Sequence, residues 1–279
     1  MMENAGMMSL MKTRRSVRTF DGLGLTENEL EKLRTLAADA GESNPFGIPV
    51  SFRLLSKKEH GVGSPVISGE EYYIAAKVEK VPHFEEAVGY SFEKLMLQAA
   101  AMGLGTVWIG GTMDRSLFEK AVDLGENERM PCVSPVGHPA GRMSPKEKVM
   151  RMGIRADTRL PFEKLFFDGS FERPLTKEAA GDLAEAFEAV RLAPSAVNKQ
   201  PWRLVLDGSA VHFYESASRG MVSEAVGDMQ RIDLGIAMCH FELALREKKI
   251  DGTFTEFGTD ALPEAPSGAA YVISFEAEL

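Results

Sequence analysis

The sequence repeats itself. "LTENELEKLRTLAADAG" begins at Leu25 and "LTKEAAGDLAEAFEAVRLA" at Leu175, 150 residues later. Each opens on a threonine, Thr26 or Thr176, followed by acidic residues and helix-spaced apolar positions, the pattern of an N-capped helix. At the same offset "FRLL" at Phe52 returns as "WRLV" at Trp202, and "FDG" at Phe20 returns at Phe167 after a slightly shorter interval. "GYSFEKLMLQAAAMGLGTVW" from Gly89 shares its apolar pattern with "GIAMCHFELALREKKIDGTF" from Gly235. Both read as long helices, apolar on most faces, suited to the centre of a domain or an interface, each feeding a strand near Val107 or Phe254. The halves close alike on the β-rich runs "CVSPVGHP" and "AAYVISFE". Several matches in one order point to a fused duplication. The crossover is expected in "RLPFEKLFFDGSFERP" at 159 to 174, giving halves 1–160 and 161–279.

A homodimer buries identical, self-complementary faces. A tandem copy can rebuild that dimer inside one chain, then lose one of two symmetry-related sites and keep the other. The differences between the halves therefore carry as much information as the similarities.

Composition narrows the classes. Hydrophobic residues make up 44% and charged residues 26%, as in ordinary globular chains. The net charge of −9 disfavours a broad nucleic-acid or anionic-membrane surface, so basic clusters are local sites. Cys132 and Cys239 have no CxxC or His/Cys spacing around them, which reads as buried free thiols in a reducing compartment. The start, "MMENAGMMSLMK", contains Glu3 and no cleavage pattern, and no run has the length of a membrane span. A soluble, cytoplasmic protein is expected.

Three stretches carry candidate chemistry. "RRSVR" sets Arg14, Arg15 and Arg18 around Ser16; guanidinium forks grip phosphate and a hydroxyl adds a short hydrogen bond. Alone it also fits a solvated basic terminus, but its counterpart in the second half, "KLFFDG", has no such cluster. "APSAVNKQPW" follows the second-half helix, which Pro194 ends. Ser195, Asn198 and Gln200 offer groups that read the polar edge of a ring, or that cap backbone within a helix-to-strand loop. The first half has "ESNPFGIPVSF" there, with Asn44 and Pro45 but without the amide–Pro–Trp ending. "GLGTVWIGG" at 103 to 111 has neither GxGxxG nor P-loop spacing and lies at a helix-to-strand turn, the wrong polarity for a dinucleotide fingerprint. It reads as a glycine C-cap before a buried strand, and Gly110 and Gly111 let backbone approach a flat ligand. His138 and His240 read as structural, no triad order stands out, and any chemistry belongs to a cofactor.

Taken together, RRSVRxF, GLGTxWIGG, PSAxNxQPW and the G-H-P strand end resemble the FMN-dependent nitroreductase family over nearly the whole chain. The resemblance implies an α+β nitroreductase-type fold in two tandem degenerate halves, an intramolecular pseudo-dimer with a mixed or antiparallel sheet and surrounding helices in each. It is similar to the fused branch called the putative TM nitroreductase group. In ordinary members the flavin lies at a dimer interface, arm from one subunit and loop from the other. Here one such site is implied, with one FMN per chain and a monomeric protein. By motif, Arg14, Arg15, Ser16 and Arg18 would hold the phosphate and ribityl end. Arg159 would reach the phosphate too, with Arg155 as the alternative. Pro194, Ser195, Ala196, Asn198 and Gln200 would line the ring, and Trp108, Ile109, Gly110 and Gly111 its other side, with Asn198 across the ring from Gly110. The family often has Glu at position 110, but the backbone N–H that it offers survives in glycine. The implied reaction is ping-pong: NAD(P)H gives hydride to flavin N5, and a small acceptor such as a nitroaromatic or quinone removes it. Two other readings stay open, a flavin-binding or flavin-sensing protein without turnover and a structural pseudo-dimer without cofactor.

Overall fold

The computed structural model describes residues 6–278, so the first five residues of the methionine-rich start, Glu3 included, lie outside it. In chain order its helices are α1 (Met7–Thr13), α2 (Glu27–Glu42), α3 (Lys57–His60), α4 (Phe84–Ala101), α5 (Arg115–Ala121), α6 (Pro145–Gly153), α7 (Ala184–Leu192) and α8 (Met229–Lys248). Strands β1 (Val50–Ser56), β2 (Tyr72–Glu79), β3 (Gly105–Thr106), β4 (Glu128–Arg129) and β5 (Val133–Gly137) form a first sheet. A second sheet holds β6 (Phe166–Asp168), β7 (Ser170–Pro174), β8 (Trp202–Asp207) and β9 (Ala210–Ser216). Past a short ribbon of β10 (Val222–Ser223) and β11 (Gly227–Asp228), β12 (Gly252–Thr255) and β13 (Ala269–Ala277) complete it.

The duplication read from the sequence is present in the strand order. The path β1–β2–β5–β3 in the first sheet is repeated as β8–β9–β13–β12 in the second. Each of these neighbouring pairs is antiparallel. The matched "FRLL" and "WRLV" runs lie in β1 and β8, the equivalent strands. The crossover does more than connect: its β6 adds to β8 in parallel and its β7 to β6, extending the second sheet.

Between the sheets α4 crosses α8 at Gly89 and Gly235. A Cβ on Gly89 would fall 2.0 Å from the Ile232 carbonyl oxygen, and one on Gly235 would fall 2.1 Å from that of Glu86. The two glycines stand at matched positions, and each meets the carbonyl three residues before the other. The helices touch backbone to backbone, and the reciprocity is that of a two-fold contact. One core gathers α7, α8 and the second sheet, another α2, α4 and the first sheet, and Phe46 and Trp108 pack against both. α4 also sends Tyr90 and Leu97 into the second core, interlocking the halves.

Two expectations change. Thr26 caps α2 with a full capping box, Glu29 answering its backbone. Thr176 caps only a turn, its hydroxyl accepting from the Ala179 N–H, and the helix begins at Ala184 after a 3-10 turn at Gly181–Leu183. α4 and α8 are also less apolar than their pattern: Glu86, Ser91 and Glu93 on one, and Gln230, Asp233 and His240 on the other, are buried. Among the described residues no helix is long and apolar enough to cross a membrane.

Candidate functional site

The arginine arm is fixed by the first sheet. Beyond α1 the chain runs extended, Val17 N–H donating to Thr106 O of β3 at 2.9 Å and Phe20 N–H to Ser68 O, ahead of β2, at 2.8 Å. The approach is close enough that a Cβ on Gly105 would lie 2.8 Å from Val17 Cβ, so this glycine makes room for the arm. The turn that leaves β3 is pinned by paired backbone bonds of 2.9 Å between Ile109 and Val133. Facing it, Pro194 ends the second-half helix and the loop turns through an unusual shape. Val197, Asn198 and Gln200 have φ of 44°, 59° and 52°, in the left-handed region that β-branched valine rarely enters. Each such residue costs on the order of 1–3 kcal/mol, so surrounding contacts must hold the loop.

Arm, turn and loop meet around one cavity of about 290 Å³. Ser16 and Arg18 come from the arm, Trp108, Ile109, Gly110 and Gly111 from the turn, and Pro194, Ser195 and Ala196 from the loop. Met150 and Ile154 close it from α6 and its end, and Met229, Ile232, Asp233 and Ile236 from α8. A Cβ on Gly110 would meet Met229 Sδ at 3.7 Å and one on Gly111 nothing within 4 Å, so the fold itself does not demand glycine at either. The missing side chains leave the cavity wall open.

A second cavity of about 200 Å³ adjoins it, sharing Ser16, Ile154, Pro194 and Ser195. Its wall is cationic: Lys12, Arg14, Arg15, Arg151 and Arg159, against Asp157. Arg14 Nε and Nη1, Arg18 Nη1 and Arg159 Nε are buried without a hydrogen-bond partner. Burial pulls the Arg18 and Arg159 guanidinium pKa below the ordinary value, and neighbouring arginines add to the pull. Buried donors that carry positive charge and lack partners are costly unless an anion meets them. The donor set fits a phosphate. A larger cavity of about 670 Å³ lies between α2, β1 and β2, away from all three motifs, and its Lys77 is already paired with Glu128 at 2.7 Å.

Two buried carboxylates hold the arm. Glu93 on α4 accepts from Trp108 Nε1 at 2.8 Å and His240 Nε2 at 3.0 Å, and stands 3.8 Å from Arg14 Nε. Burial pushes the Glu93 carboxyl up, but His240, Arg14 and Trp108 together hold it below the usual range. His240 is satisfied at its other nitrogen by Ala189 O, in keeping with a structural role. Glu147 on α6 takes Arg15 at 3.0 Å and the Thr19 hydroxyl at 2.8 Å. One helix from each half and the arm therefore converge on Glu93.

A family model described as "Putative TM nitroreductase" matches residues 6–245. The chain belongs to that family. A putative nitroreductase from Thermotoga maritima has the same fold, at 19% identity and a TM-score of 0.61, over 98% of this chain and 93% of that one. Weaker matches include an FMN-dependent nitroreductase from Clostridium difficile (18% identity, TM-score 0.41, 48% of this chain and 88% of that one). Another is a putative NADH dehydrogenase/NAD(P)H nitroreductase from Bacteroides thetaiotaomicron (21% identity, TM-score 0.41, 51% of this chain and 91% of that one). No curated protein matches the sequence.

Within this nitroreductase fold some residues stand elsewhere than their motif implies. Gln200 lies behind the loop, its Oε1 accepting from Leu160 N–H at 2.9 Å and its Nε2 donating toward Asn198. Asn198 does not line the cavity that Gly110 lines. It lines the cationic cavity, and its Nδ2 donates to Arg155 O and Thr158 O at 2.8 and 3.0 Å. Both amides thus tie the loop to the segment from Arg155 to Leu160. Arg159 reaches the cationic cavity, while Arg155 faces a neighbouring groove and contributes only its carbonyl. Arg15 is at the rim, paired with Glu147.

The motifs did not single out Arg151, Met150 and Ile154 from α6 and its end, Met229 and Asp233 from α8, or Glu93. Ser144 followed by Pro145 and Glu147 is a recognisable helix start that could have marked α6. The acids set among apolar residues in α4 and α8 were the signal for Glu93 and Asp233.

Proposed function

We propose that this chain is an FMN-dependent NAD(P)H oxidoreductase that holds one FMN across its two halves. The observation that carries the reading is the set of buried guanidinium N–H groups without a hydrogen bond, on Arg14, Arg18 and Arg159, beside a cavity of about 290 Å³ with a largely apolar lining. Arg14 and Arg159 would grip the phosphate, with Arg18 and Ser16 between phosphate and ring. Trp108 to Gly111 and Pro194 to Ala196 would sandwich the ring, Ile232 and Ile236 closing its edge. When bound, FMN supplies the two-electron chemistry that no side chain here offers. The chain positions it, keeps water from its ring with Met150, Ile154 and Met229, and surrounds it with positive charge that favours a reduced, anionic ring. The acceptor would be a small aromatic such as a quinone or nitroaromatic.

One FMN per chain is supported by what occupies the counterpart region. Counting back 150 residues from Ala196 gives Phe46, and matching Gly89 to Gly235 sets His83 against Met229. Phe46 and His83 are stacked at 4.8 Å with 8° between their planes. Two rings thus stand where the other half lines its cavity with alanine and methionine.

Anaerobic mixing of FMN-reconstituted protein with NADH or NADPH tests the activity. Prompt bleaching of the flavin absorbance is expected. A flavin that stays oxidised with both would leave a binding or sensing role, and a protein that takes up no FMN would leave neither.

A further inference from the structure

Asp233 is a buried acid with no ion pair among the described residues. It lies one turn into α8, is 3% exposed and lines the cavity of about 290 Å³. Its two oxygens share one donor, the Ala196 N–H, at 3.0 and 3.1 Å. That N–H opens the strained turn through Val197, Asn198 and Gln200, so the acid fixes the loop at the residue where its unusual backbone begins. The groups facing it from each packed element are few. The arm brings Arg18 and the wall beside the glycine turn brings Cys132, and Asp228, the N-cap of its own helix, repels it. The loop brings the Ser195 hydroxyl, and α6 brings uncharged Met150 and Ile154.

We propose that Asp233 works as a neutral carboxylic acid: its carbonyl oxygen takes the Ala196 N–H and its O–H is offered to the ring bound in the cavity. This rests on the cavity being the flavin site. A carboxylate with one N–H and no cation paired with it would be a poorly compensated buried charge, which a protein avoids by keeping the proton. Burial, with Asp228 adding repulsion, drives its pKa well up, and the single backbone bond only partly offsets them. Neutral, the acid has the donor and acceptor pattern of asparagine. Asp233 is a positioning residue that supplies one hydrogen bond; no proton is transferred.

The test compares wild type, Asp233→Asn and Asp233→Ala in fluorescence titrations with FMN from pH 6 to 9, and in thermal unfolding of the flavin-free proteins. At pH 6 Asp233→Asn should bind FMN like wild type, and Asp233→Ala at least tenfold more weakly. As pH rises, wild type should weaken relative to Asp233→Asn, which reports the phosphate's own titration, by up to tenfold per unit above the Asp233 pKa. The flavin-free pair carries its own sign. An acid whose folded pKa is raised binds its proton more tightly folded than unfolded. Wild-type Tm should therefore fall relative to Asp233→Asn as pH rises above about 4, the unfolded value. Asp233→Asn as weak as Asp233→Ala at pH 6, or a wild-type Tm that does not fall relative to Asp233→Asn above about pH 4, would overturn the proposal. If wild type binds no FMN, the flavin reading fails and the Tm comparison decides the charge state alone. If Asp233→Ala does not fold, the wild-type and Asp233→Asn contrast still decides it.

Discussion

Gly89 and Gly235 meet where α4 crosses α8, and neither has room for a side chain: each added Cβ would lie about 2 Å from a carbonyl oxygen of the other helix. The contact carries the pseudo-symmetry, because it sets the distance between the halves and so the width of the cavity between them. Gly89→Ala and Gly235→Ala should each destabilise the protein by about 3 kcal/mol, the upper end for overpacking, since backbone cannot step aside like a flexible side chain. At about 2–4 °C per kcal/mol, a thermal melt should drop by several degrees. Gly111→Ala, in open space, should melt within about a degree of wild type. Equal melts for all three would mean that the helices can separate without loss.

The arginine arm separates two roles. Arg14→Ala with Arg18→Ala should weaken FMN retention at least about 100-fold, because a hydrogen bond to a charged group contributes about 1.5–3 kcal/mol and two are removed. Arg191→Ala is the control, since Arg191 is engaged with Glu188 at 2.5 Å and lines neither cavity. Arg203 would be a poor control, as its guanidinium holds Gln200 O and Trp202 O at the root of the loop. A dialysis assay that found the two sets of changes equal would remove the phosphate assignment.

Glu93 should resist replacement. Its carboxylate answers Trp108, His240 and Arg14, and Glu93→Ala leaves all three polar groups buried without it. Removing one member of a buried charged network costs about 3–5 kcal/mol. Glu93→Gln keeps an acceptor for Trp108 or His240 and should recover part of that loss in the same denaturant titration. No recovery would mean that charge alone, through Arg14, sets the role.

Val197 is 58% exposed with φ of 44°. Glycine adopts that backbone without the roughly 1–2 kcal/mol penalty, and gives back only about 0.5–1 kcal/mol in unfolded-chain entropy. Val197→Gly should therefore leave Tm unchanged or raise it slightly. A drop of several degrees would show that the valine side chain, not the backbone, holds the loop.

Much of this was legible in the sequence. Repeat spacing is a property of order along the chain, so matched strands and paired central helices could be read without coordinates. Arg14, Arg18, Trp108 and Ser195 were legible because their motifs are compact. What was hidden depends on neighbours far along the chain. Asn198 and Gln200 looked like ligand-reading amides, but the segment from Arg155 to Leu160 returns beside them and uses their hydrogen bonds. Asp233 and Glu93 lie in runs read as mostly apolar helices, and no motif marked them; their meaning comes from Ala196, Arg14 and Trp108. The start of α7 slipped because Thr176 caps a turn before the helix proper, a choice made by packing rather than by the cap residue.

The central claim is one complete site built from both halves. Its most direct measurement is the ratio of FMN to chain after reconstitution, removal of free flavin and release of the bound fraction for absorbance. The account predicts one FMN per chain, lost in the Arg14→Ala, Arg18→Ala protein. A ratio near two would mean that the Phe46–His83 side also binds flavin, and a ratio near zero would contradict the site altogether.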